Sequence, residues 1–218
     1  MRVASRRQGK AARRVGAGLS FCLATISFQF TAAFAGVQPD AKITVRVYNY
    51  AQVSDGALAR AEAEAGRILA AAGVNSVWLD CFEPRGQFQS GANQDCAGPL
   101  RGATVAVRIL PGSIKGEVFS RDTDLGFAAG SDFASVFYGR ITNFVKGADG
   151  REWDIAVILG DAIAHELGHL LLGPDAHSPT GIMCGQWDRD YLHLALMGRR
   201  LFTPQQSAVL RANVLRRQ

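Results

Sequence analysis

Three of the four histidines in this chain, His165, His169 and His177, fall within thirteen residues. They close a long apolar-periodic stretch that runs from about Trp153 to Leu172 and stops at Gly173-Pro174, as a helix stops where proline cannot continue it. Residues four apart on a helix share one face, so His165 and His169 can aim their imidazoles at a single ion. Glu166 follows one position on, turned about 100° around the axis, which sets its carboxylate beside that point rather than on it. Zinc is the natural ion, because two imidazoles and a third ligand leave one position open for water. A carboxylate alongside suits a general base acting on that water. The bland alternative, two satisfied polar residues on an amphipathic helix, is weakened by the helix stop and by the further candidate ligand just beyond it.

Around this helix the chain alternates between strand and helix patterns. Lys42 to Tyr50 alternates polar with β-branched or aromatic residues and predicts a half-buried strand. Ser54-Asp55 is a helix start for the Ala-rich stretch Ala57 to Ala72, with Gly73 where a helix should end. Val74 to Leu79, Ala103 to Leu110 and Ala134 to Ile141 predict three more strands; between Gly112 and Ser131 the pattern is weak. Thr203-Pro204 opens a last amphipathic helix reaching about Leu215. The order predicts one α+β domain: a small mixed sheet with two principal helices packed on it, the active-site helix and a C-terminal helix following.

Residues 1–35 read as an export signal. They hold six basic side chains and no acid, then an apolar run from Val15 to Phe28, and end in Ala33-Phe34-Ala35 before Gly36. An uncleaved membrane anchor is the rival, set back by the polar interruptions and the cleavage pattern. No later segment is expected to be apolar enough to span a bilayer, so residues 36–218 should be an exported, secreted or periplasmic domain, and a monomer. Of 24 Lys and Arg and 19 Asp and Glu in the whole chain, residues 36–218 keep 18 against 19, a net charge of −1. The excess of +5 therefore belongs to the signal, which excludes the concentrated basic face of a nucleic-acid binder. Cys81 and Cys96 flank a Gly-, Gln-, Pro- and Asn-rich segment that a disulfide could close in an oxidising compartment. Cys184 is then left over.

From His165 onward the chain resembles the metzincin zinc peptidases, whose pattern is H-E-x-x-H-x-x-G-x-x-H followed by a methionine-containing turn. The resemblance rests on His165, Glu166, His169, a nearby glycine, His177-Ser178 and Gly181-Ile182-Met183. The spacing departs from the family: its glycine would fall at Leu172, where Gly173 follows, and its third ligand at Asp175, two residues before His177. Some members use Asp there, so His177 and Asp175 stand as alternatives, with His177 preferred because a longer turn could carry it back. The resemblance implies that Met183 packs under the ligands without binding the metal. It also implies that Leu125-Gly126-Phe127-Ala128-Ala129 supplies an edge strand that binds an extended peptide, where a packed loop is the rival. Cys184, Tyr191 and His193 stay outside the expected site.

Together these readings predict a zinc endopeptidase with one catalytic ion, Glu166 as general base, and a peptide or protein substrate. The alternative is a non-catalytic, zinc-stabilised binding domain of the same fold.

Overall fold

The alternating segments pair into one five-stranded sheet in a computed structural model, which describes residues 40–81, 96–112 and 124–218. The export segment expected over residues 1–35 lies outside the described residues. β1 (Lys42–Asn49), β2 (Asn75–Asp80), β3 (Thr104–Leu110) and β5 (Phe133–Phe137) are parallel, and β4 (Gly126–Ala129) is antiparallel. The order across the sheet is β2-β1-β3-β5-β4, so β2 and β4 are its two edges.

Side chains alternate across a sheet, and here the two sets differ in kind. Ile43, Val45, Val47, Val105, Val107, Ile109, Ala134 and Val136 fill the core on one face. Arg46, Tyr48, Arg108 and Ser135 occupy the other, where Arg108 Nε donates to Ser135 Oγ at 3.1 Å. The apolar face is closed by helices. α1 (Asp55–Ala71) buries Leu58, Ala61, Ala65, Ile68 and Leu69 at helical spacing, and Gly73 follows at φ +77°. Ser54 occupies the N-cap position, but its side chain makes no capping bond.

α3 (Asp154–Leu172) is apolar almost all round, and a helix of that kind must be enclosed. It packs against α1, β4, β5 and the three other helices. By length and composition it could cross a membrane, which the sequence reading did not anticipate, yet 83% of its most apolar window is buried inside the fold. It is the core helix of the domain.

Two helices were missed. The strand expected over Ala134 to Ile141 ends at Phe137, where α2 (Tyr138–Gly147) begins. Gly139 allows that change of direction: its N–H bonds the Pro111 carbonyl at 3.0 Å, and a Cβ there would lie 2.5 Å from the same oxygen. Ile141 and Val145, one turn apart, are both buried. The segment expected to be irregular also holds α4 (Arg189–Leu196), capped by Asp188 Oδ1 accepting from the Tyr191 N–H at 2.8 Å. α5 (Pro204–Arg217) opens with a complete capping box between Thr203 and Gln206. Cys81, at the end of β2, is joined to Cys96 by a disulfide with Cα atoms 5.5 Å apart.

Candidate metal centre

α3 brings His165 and His169 to one face a turn apart, as their spacing requires. After Leu172 the chain leaves the helix at Gly173, whose φ of +107° suits glycine, and a short turn returns His177 to that face. The three Nε2 atoms converge: His169 lies 3.1 Å from both His165 and His177, and those two are 3.3 Å apart. Asp175 is exposed and lies outside this group.

The donor set can be tested against a metal. His165 Nδ1 donates to the Ile182 carbonyl at 2.8 Å, and His169 Nδ1 to that of Gly173 at 3.2 Å. Those bonds put the protons on Nδ1 and leave both Nε2 lone pairs pointing inward. Burial depresses the His165 pKa to about 3 and lowers that of His169, so both rings are neutral. Converging lone pairs repel unless a cation sits among them. Three nitrogens about 2.0–2.1 Å from one tetrahedral ion would be about 3.3 Å apart, close to the observed spacing. The residues fit zinc.

Glu166 points to the side of this cluster. It is buried, its Oε2 has no hydrogen-bond partner among the described residues, and burial followed by the charge of Asp124 pushes its pKa up to about 8. A cation held by the three histidines would favour the ionised form of this carboxyl, the form that accepts a proton. The room it occupies exists because residue 126 is glycine: a Cβ there would lie 2.8 Å from Glu166 Oε1.

Gly126 belongs to β4, which forms one wall of a cleft of about 790 Å³. Glu166 and the three histidines line its floor, and Pro174, Gly185 and Trp187 line it as well. The Phe137 N–H bonds the Leu125 carbonyl at 2.8 Å, which sets the alternation along this antiparallel pair. The backbone groups of Phe127 therefore face β5, and those of Gly126 and Ala128 face away from the sheet.

Met183 lies beneath the helix. It is fully buried, and its sulfur occupies the space where a side chain on Gly168 would go. Its carbonyl accepts from the Ser178 N–H at 2.9 Å, closing the turn that follows His177.

The comparisons with known proteins bear on the fold. No protein-family model matches the sequence, and no curated protein matches it. Among solved structures, a zinc-dependent peptidase from Methanocorpusculum labreanum superposes with a TM-score of 0.52 at 18% identity, over 76% of this chain and 99% of that one. An archaemetzincin from Methanopyrus kandleri gives 0.50 at 16% identity, over 82% and 99%. This chain shares their fold.

Several groups around the shared helix carry no motif. Trp187 sets its ring edge-on to His165, 5.7 Å between centroids, and lies on Tyr191 at 3.9 Å. The Arg200 guanidinium stacks on Tyr191, also at 3.9 Å. Asp161, one turn before His165, is buried beside them; burial and Glu64 push its pKa up to about 8. Tyr191 is thus a buried support and His193 is exposed on α4. Cys184 is a buried free thiol. The signal for Trp187 was present in the sequence, an aromatic four residues after Met183, but nothing in its spacing marks a side chain that reaches the cleft.

Proposed function

We propose that this protein is an exported zinc-dependent endopeptidase. The observation that carries the reading is the convergence of three histidine Nε2 atoms within 3.3 Å, with the Glu166 carboxylate on the same cleft floor. The shared fold supports it, since one of the similar structures is described as a zinc-dependent peptidase and the other as an archaemetzincin.

His165, His169 and His177 would hold one zinc ion through Nε2. When bound, zinc supplies Lewis acidity, which acidifies a water molecule and offsets the charge that grows on the substrate carbonyl. The chain's own residues do the rest. Glu166 accepts the water proton at a carboxylate oxygen and delivers it to the leaving amine nitrogen. Gly126 and Ala128 pair their free backbone groups with an extended peptide, and Phe127 holds that edge to the sheet by its bonds to β5. Met183 fills the space under α3 and fixes the level of the histidines. Ile182 and Gly173 fix two of the imidazoles through their carbonyls. Export is supported by the N-terminal signal pattern and by the Cys81–Cys96 disulfide, a bond of oxidising compartments.

Metal analysis of the purified protein, paired with cleavage of a generic peptide mixture, tests the proposal. The protein should contain zinc, lose cleavage when treated with a chelator, and regain it when zinc is restored. Cleavage that survives complete metal removal would argue against it.

A further inference from the structure

Two of the candidate ligands are oriented by their own Nδ1 bonds, whereas among the described residues His177 has no such partner. It rides on an exposed turn that has just left α3. Its neighbours on both sides are held from elsewhere. Gln206 Nε2 donates to the Ala176 carbonyl at 3.2 Å and to Ser178 Oγ at 3.2 Å. The other end of the same amide, Oε1, accepts from the Thr203 N–H at 3.0 Å, while Thr203 Oγ1 accepts from the Gln206 N–H at 3.2 Å. A backbone N–H at one end and a backbone carbonyl at the other fix which atom of the amide is oxygen and which is nitrogen.

We infer that Gln206 is a positioning residue for the metal centre: the capping box of α5 clamps the turn that carries His177 and holds its imidazole in register with His165 and His169. The inference rests on the proposed ligand set. Its physical basis is that a ligand on a loose turn loses affinity in proportion to the ordering it must undergo on binding, and the clamp performs that ordering in advance. Ser178 contributes twice, accepting from Gln206 and donating through Oγ to the Thr180 carbonyl at 2.8 Å.

Gln206→Glu separates this role from helix capping. Glutamate is the other residue of a capping box, so the bond to the Thr203 N–H and the start of α5 are kept. A carboxylate cannot donate to the Ala176 carbonyl and repels it. Zinc affinity, measured by competition with a chromophoric chelator, should fall about 10- to 100-fold, while the melting temperature of the metal-free protein stays at the wild-type value. Gln206→Ala should lose similar affinity and also melt lower, because it removes the cap. Ser178→Ala, which leaves α5 untouched, should lose a smaller share. His177→Ala is measured alongside. If His177→Ala abolishes tight binding and Gln206→Glu binds as the wild type does, the clamp is overturned and the ligand set survives. If His177→Ala binds zinc as the wild type does, the ligand set is overturned, and the clamp with it.

Discussion

A Cβ placed on Gly126 would lie 2.8 Å from both Cγ and Oε1 of Glu166 and 2.7 Å from the Ser135 carbonyl oxygen. Two of those atoms belong to the candidate base, and the third is backbone inside the sheet. Neither can yield without cost, since Glu166 is enclosed by α3 and β4, and Ser135 is fully buried in β5. Gly126→Ala should therefore push the carboxylate off its place while leaving the three imidazoles alone. Displacements of about 1 Å cost catalysis roughly 100-fold. The variant should bind zinc normally and hydrolyse peptide at about that reduced rate, as steady-state kinetics at saturating zinc would read. Wild-type turnover would show that Glu166 tolerates the movement. Gly168 makes the same argument on the opposite side of the helix, where the missing side chain leaves room for the Met183 sulfur.

At the scale of elements, the disulfide and the candidate metal centre sit at opposite edges of the sheet. Cys81 directly follows β2, whereas the cleft wall is β4. The bond joins residues 15 apart, and closing a loop of that length stabilises a fold by about 3 kcal/mol in the chain-entropy account. Replacing Cys81 and Cys96 by serine should lower the unfolding free energy by about that amount in urea titrations. Zinc affinity should not change, because among the described elements β2 packs chiefly on β1 and α1, neither of which carries a candidate ligand; a large loss of affinity would mean that the two edges are coupled. The same scale explains what could be read in advance. β1, β2, β3, α1, α3 and α5 carry a clean period of two or of about 3.6, or a cap in the right place, and their sequences announce them. β4 is four residues long, too short for a period, and came into view only through resemblance. The Ala134 to Ile141 run mixes apolar residues with Ser135, Gly139 and Arg140 and is too short to show a period of either kind on each side of the switch at Phe137. α4 has only eight residues, and its Asp188 cap was the one local sign of it. At the site, His165, Glu166 and His169 were legible because helix geometry alone relates them. The choice between His177 and Asp175 was not, because the path of the turn after Gly173 depends on contacts with residues near 183 and 206 that lie far along the chain.

Across the whole molecule, one helix organises both the core and the cleft. α3 presents apolar residues to the sheet and to α1, and its last two turns present His165, His169 and Glu166 to the cleft between β4 and the His177 turn. The polar groups along it differ in kind. Asp161 lies among Tyr191, Arg200 and Glu64 in the interior, where no substrate reaches it. Asp161 and Glu166 both carry buried oxygens with no hydrogen-bond partner among the described residues, but only Glu166 lines the cleft, beside the three histidines. That placement favours the proposed peptidase over the alternative, a binding domain of the same fold. Glu166→Gln decides between them, because glutamine keeps the shape and cannot accept the proton. The protein should take up as much zinc as the wild type and hydrolyse peptide more slowly by about two to four orders of magnitude, the range expected for loss of a general base. Equal zinc with undiminished hydrolysis would contradict the mechanism.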